Sequence, residues 1–128
     1  MRYPHRPHVP DLVVQQVAER LRQIAREQYG DVCRELVFRV RGHSLYIDAH
    51  RVGEEGEPTH LCRLDWLGRS DEWSFWFYRY TRRKYERNIT YSGNWTGTAE
   101  DCFAAAAFAY LAMYRPMANP SGINGRLD

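Results

Sequence analysis

Between Glu35 and Tyr80 the apolar residues recur at every second position in four consecutive segments, and on either side of that stretch they recur at helical spacing. A period of two puts alternate side chains on opposite faces of a strand, whereas a period near 3.6 gives a helix one apolar stripe. A chain patterned in this way is confined to a sheet with one apolar face and helices that cover it. In Glu35–Arg41, Leu36, Phe38 and Val40 point one way and Glu35, Val37, Arg39 and Arg41 the other. Gly42-His43 follows with glycine first, the pattern of a two-residue type II′ hairpin turn. That turn sets Arg41 opposite Ser44. The register then places Val40 opposite Leu45, Phe38 opposite Ile47 and Leu36 opposite Ala49, every pair apolar. A second hairpin turns through Gly53–Pro58 into His60–Leu67, with Cys62, Leu64 and Trp66 toward the core. Gly68–Glu72 makes a third turn into Trp73–Tyr80, where Phe75 and Phe77 belong to the core.

Asp11 is placed to cap a helix whose apolar stripe is Val14, Val17, Leu21 and Ile24, and Gly30 suits a left-handed position just after it. Residues 81–97 read as a long loop. Thr98-Ala99-Glu100-Asp101 then resembles a capping box, opening a helix that is apolar nearly all round. Its Ala104–Ala107 run allows close approach to the sheet, Phe103, Phe108, Tyr110, Leu111 and Met113 fill the gaps, and Pro116 ends it. The predicted fold class is α+β: a two-layer sandwich in the order α-β-β-β-β-α, with a four-stranded antiparallel meander and both helices on one face. One domain spans 11–116, between an arm at 1–10 and a tail at 117–128.

The 128 residues suffice for one domain, and 44% apolar against 27% charged residues excludes a disordered or low-complexity chain. The formal charge of +2 is too small to imply a polyanionic partner by itself. Cys33, Cys62 and Cys102 are odd in number and far apart, and read as reduced thiols packed as small hydrophobes. No apolar run reaches the length of a membrane span, and Met1–Pro10 has no apolar signal core, so the expected location is the cytoplasm, away from membranes. The GxGxxG, GxSxG and HExxH motifs are absent, as is the glycine-rich phosphate loop. His5 and His8 lie in a proline-rich arm that would not hold a metal geometry, so neither metal nor organic cofactor is expected.

The sheet face that the helices leave behind carries Glu35, Val37, Arg39 and Arg41 from the first strand and Tyr46, Asp48 and His50 from the second. The third strand adds Leu61, Arg63 and Asp65, and the fourth Trp76, Tyr78 and Tyr80. The same register sets Arg39 opposite Tyr46, Glu35 opposite His50 and Asp48 opposite Arg63, the complementary neighbours that cross-strand pairing favours. Large aromatics beside paired charges exceed what a solvated face needs. Arg39, Tyr46, Asp48, His50, Arg63, Trp76, Tyr78 and Tyr80 are therefore the candidate binding residues, for a second copy of the chain or for another protein, since interfaces enrich Tyr, Trp and Arg. A fold-back of the 81–97 loop or of the C-terminal tail over this face is the competing explanation.

The segment Arg79–Arg87 holds five cations (Arg79, Arg82, Arg83, Lys84 and Arg87) against Glu86 alone, with Tyr80 and Tyr85 interleaved. Phosphate contacts combined with base stacking would use such a segment, which makes nucleic acid the alternative partner; a solvated loop entry is the plain counterpart. A general base built from His50 and Glu35 is a third reading, and it lacks a nucleophile or metal set.

Leu45-Tyr46-Ile47-Asp48-Ala49, Pro58-Thr59-His60-Leu61-Cys62-Arg63-Leu64, Trp73-Ser74-Phe75 and Gly97-Thr98-Ala99-Glu100-Asp101 together resemble small bacterial proteins grouped as domains of unknown function, over about residues 35–111. The resemblance implies a bacterial, cytoplasmic protein. Its motifs are strand cores, a turn and a helix cap, and it assigns no site residue. The sequence thus reads as a non-enzymatic binding or assembly domain that works through its outer sheet face, as a homodimer or with a partner protein.

Overall fold

The computed structural model describes residues 8–115. Helix α1 (Asp11–Tyr29) is followed by four strands joined by turns: β1 (Cys33–Arg41), β2 (Ser44–Arg51), β3 (Thr59–Arg69) and β4 (Glu72–Arg79). Two short strands come next, β5 (Lys84–Arg87) and β6 (Thr96–Gly97), then helix α2 (Ala99–Tyr110) and a 3-10 turn at Ala112–Tyr114. Every strand pair is antiparallel, in the spatial order β1-β2-β3-β4-β5 with β6 also on β4. Leu21 and Ala25 of α1 and Phe103, Ala106 and Ala107 of α2 join Leu36, Leu45, Ile47, Leu64, Trp73 and Phe75 in one buried cluster. The fold is therefore α+β, with its core between one sheet face and the helices. Each fully buried Leu, Ile or Phe contributes about 1.5–3 kcal/mol to that layer. No helix among the described residues is long and apolar enough to cross a membrane.

The first hairpin has the register that its apolar pairing demands, from Arg41 opposite Ser44 to Leu36 opposite Ala49. Gly42 takes φ +61° while His43 stays out of the positive region, as a type II′ turn requires. The 81–97 segment departs from the expected loop, because it holds β5 and β6. Strand β5 pairs with Trp76–Arg79 and β6 with Trp73–Ser74, so the two lie end to end along one edge of β4. Strands of four and two residues carry too little alternation to announce themselves in sequence.

Helix ends account for the other differences. Pro10 rather than Asp11 occupies the cap position of α1, and no side chain caps it; Asp11 stands in the first turn, where a carboxylate suits the positive helix end. Gly30 is right-handed, at φ −61°. A Cβ there would come within 2.8 Å of the Arg26 carbonyl oxygen, so close approach and not handedness explains the glycine. The Thr98 hydroxyl does cap α2, accepting the Asp101 N–H at 3.1 Å. That helix stops at Tyr110, ahead of Pro116, which with the tail 117–128 lies outside the described residues. Phe108 falls on the solvent side of the buried stripe formed by Ala99, Cys102, Phe103 and Ala106, so it is exposed, as is Met113 in the 3-10 turn. Of the arm, residues 1–7 lie outside the described residues, but Val9 is buried and donates its N–H to the Gly42 carbonyl at 3.1 Å. Cys33, Cys62 and Cys102 are free thiols within the core, and burial pushes the Cys102 thiol up to about 12.

Candidate functional site

Side chains directly opposite one another on antiparallel strands share a face and stand about 5 Å apart. The registers set Arg39 opposite Tyr46, Tyr46 opposite Arg63, Arg63 opposite Trp76 and Trp76 opposite Arg87, one residue from each of the five strands. The result is a row across the outer face in which guanidinium and aromatic groups alternate. Arg39 lies 4.9 Å from the Tyr46 ring centroid and Arg63 4.0 Å from that of Trp76. At the β5 edge the pattern continues, with Arg87 5.7 Å from the ring of Trp95. A flat, weakly hydrated cation held against the negative face of a ring is favourable even near solvent.

Two buried carboxylates hold this row in place. Asp65 accepts both Nε and Nη2 of Arg63, each at 3.0 Å, and the Ser44 hydroxyl at 2.7 Å. Asp48 accepts Arg39 Nε at 3.2 Å and pairs with His60 Nδ1 at 3.0 Å. Both carboxylates are almost fully buried, so these hydrogen bonds replace the water each has lost. The expected pairing of Asp48 with Arg63 is not formed, because the register sets Arg63 opposite Tyr46, two residues from the expected position. A bulge between Ile47 and Asp48 sets Ile47 opposite Cys62 but Asp48 opposite His60, which makes Leu61 the extra residue. Leu61 and Cys62 are consequently both buried, where alternation alone would have turned Leu61 outward. His60, which the same alternation assigned to the core side, reaches the outer face beside Asp48. Sequence reasoning missed this histidine; the adjacent apolar pair Leu61-Cys62 was its one available signal.

A tyrosine layer closes over Asp48 and its histidine. The His60 ring packs against Tyr78 and Tyr80 at centroid distances of 4.7 and 6.3 Å, and the Tyr80 hydroxyl accepts the His60 backbone N–H at 2.6 Å. Strands β3 and β4 lie between β5 and β2, yet Tyr85 of β5 comes within 5.2 Å of Tyr46 as well as 4.9 Å of Tyr78. Its side chain is therefore laid across the face. Burial, reinforced by the Asp48 carboxylate, pushes the Tyr85 phenol well above its ordinary range. The hydroxyl is enclosed and finds no hydrogen-bond partner among the described residues. The 81–97 segment thus covers part of the outer face through one tyrosine, and Tyr46, Trp76, Tyr78 and Tyr85 are half-buried.

What stays open is the β5 edge. Glu86 pairs with Arg82 at 3.3 Å and with Arg79 at 3.7 Å, so two of the five cations in Arg79–Arg87 are answered within the segment. Arg83, Lys84 and Arg87 are exposed and make no ion pair among the described residues. Arg83 sits at the tip of the β4–β5 hairpin at φ +55°, a left-handed backbone that disfavours every side chain with a Cβ. Beside this edge Trp95 is 54% and Tyr91 67% exposed, the latter 6.0 Å from the ring of exposed Phe108.

Glu35 does stand opposite His50, but no hydrogen bond or ion pair joins them, and Glu35 instead lies 3.8 Å from Arg34. The histidines that do face carboxylates are His60, 3.0 Å from Asp48, and His43, 3.7 Å from Asp65. No group of three or more His, Cys, Asp or Glu side chains among the described residues is placed to hold a metal ion. Comparison of the chain with protein-family models, with curated proteins and with solved structures finds no match.

Proposed function

We propose that this chain is a non-enzymatic binding domain that contacts its partner through the outer sheet face, with the alternating guanidinium–aromatic row as the contact surface. The observation that carries this reading is the row itself, five strands wide and in register from Arg39 to Arg87. Arg, Tyr and Trp dominate the energetic centres of interfaces because they combine large contact area with directional polar groups. At the β1 side and the centre the groups satisfy one another, through Asp48 and Asp65. Contact capacity is thereby concentrated at the β5 end, where Arg87 and Trp95 face solvent. The partner is a macromolecule, and a second copy of the chain is one form of it.

Site-directed photo-cross-linking in the cell that expresses the full chain tests this whatever the partner is. A benzophenone amino acid at position 87 or 95 should give adducts that the same group at exposed Gln15 on α1 does not. An adduct of twice the chain mass identifies self-assembly. Identical patterns from all three positions would refute the row as a contact surface.

A further inference from the structure

We infer that the β5 end of the row is a docking site for single-stranded nucleic acid; this rests on the row being a contact surface and names what it contacts. The argument begins with charge. Of the five cations in Arg79–Arg87, Glu86 engages two, and Arg83, Lys84 and Arg87 remain exposed without a carboxylate among the described residues. These three lie on one hairpin arm, Lys84 and Arg87 about 10 Å apart along the strand. Arg87 leaves the strand on the outer face, opposite Trp76, and Lys84 on the other, opposite Arg79, so a polyanion that follows the unpaired edge of β5 has a cation on either side of it and Arg83 at the hairpin tip.

The second element is stacking surface at the same place. Arg87 is 5.7 Å from the Trp95 ring, and more than half of Trp95 stays accessible, at 54%. Tyr91, on the same β5–β6 excursion, turns instead to Phe108 of α2 on the helix side, so Trp95 is the stacking ring of the site. A base presents a π-face and its phosphate a charge a few ångströms away, so an indole beside an unanswered guanidinium matches one nucleotide in both respects. An acidic peptide would answer the cations and leave the ring without a stacking partner. A duplex hides its bases in its own stack, so the exposed ring selects a single strand. The overall charge of the chain is only +2, so attraction is local and the site short.

This count makes the test quantitative. For single strands the logarithm of affinity falls with the logarithm of salt concentration by about 0.7 per phosphate contact. Three cations give a slope of about −2, whereas all five of the segment would give about −3.5. The full chain is titrated with a labelled twelve-nucleotide oligothymidylate at several salt concentrations, reading anisotropy and tryptophan quenching. Binding is expected at low salt with the shallower slope. Lys84→Gln and Arg87→Gln should each reduce the slope by about 0.7, and Arg26→Gln on α1 should leave it unchanged. Trp95→Ala should weaken binding by about fivefold or more at an unaltered slope. Circular dichroism melts confirm that each variant is folded. Absence of binding at low salt overturns the inference, as does a slope indifferent to Lys84 and Arg87. A twelve-residue oligoglutamate that competes as well as the oligonucleotide overturns it too, in favour of an acidic protein partner. In each of these cases the cross-links from positions 87 and 95 still decide whether the row is a contact surface.

Discussion

Asp48 and Asp65 are equally buried, yet removing their charge should have unequal consequences, because the exposure of the stranded cation sets the cost. In Asp65→Asn the amide oxygen can still accept from Ser44 and from Arg63 Nε, but the guanidinium loses its counter-charge and the 3.0 Å bond from Nη2 to the second oxygen. The side chain of Arg63 is only 21% exposed, with Trp76 against it, so water has little access to the abandoned charge. Each hydrogen bond to a charged group is worth about 1.5–3 kcal/mol, and breaking a buried pair by removing one partner costs about 3–5 kcal/mol. Asparagine retains one acceptor, which places Asp65→Asn near 3 kcal/mol. In Asp48→Asn the abandoned Arg39 is 48% exposed and rehydrates, and the amide oxygen can still accept from His60; about 1–2 kcal/mol is expected. Urea denaturation monitored by tryptophan fluorescence reads both values, the midpoint moving at constant slope. A double-mutant cycle adding Arg63→Gln isolates the pair, with a coupling of about 1–3 kcal/mol. Equal costs at the two sites, or a larger one at Asp48, would refute the argument that access of water to the cation decides.

Arg83→Gly should stabilise the protein by about 0.5–1 kcal/mol, since relief of the left-handed strain outweighs the added freedom of the unfolded chain; a thermal melt shows it, and a loss of stability would mean that the Arg83 side chain contributes more than its backbone costs. Thr98→Ala should lose about 1 kcal/mol with the cap of α2, and Thr98→Ser should recover most of it in the same denaturation assay. Alkaline stability supplies the last test. The Cys102 thiol ionises near 9 in the unfolded chain and at about 12 in the fold, because burial opposes the thiolate. Between those values the unfolded state binds fewer protons, so stability falls as pH rises, by about 1.4 kcal/mol per pH unit from this group. Cys102→Ala should show a shallower decline above pH 9 and no change of slope below it.

How much of this was legible depends on whether two independent signals coincided. The β1–β2 hairpin could be read to the residue because the turn Gly42-His43 and the apolar pairing required the same register, and Arg39 opposite Tyr46 followed. The step from β2 to β3 offered only the alternation, so the register came out two residues from the expected one, with Arg63 opposite Tyr46, and the extra residue at Leu61 then brought His60 beside Asp48. Trp76 was placed correctly on the outer face, but its partner Arg87 was not, because β5 is four residues long and predominantly charged. The row was therefore visible in pieces and not as a row. Helix ends went astray where a backbone approach, as at Gly30, served a purpose that residue preference alone does not encode.

The single extra residue at Leu61 makes this stretch of β3 tolerant of a shortening that a regular strand would not survive. Deletion of Leu61 would leave Cys62 opposite Ile47 and His60 opposite Asp48 in an unbroken ladder, so the imidazole would keep both its face and its carboxylate. At the present length, by contrast, a ladder without the bulge would set Leu61 opposite Asp48 and turn His60 toward the core. Chains that share the fold can therefore differ by one residue between the Gly53–Pro58 turn and the Arg63 equivalent and still keep the histidine–carboxylate pair, so length in this stretch is no marker of its loss.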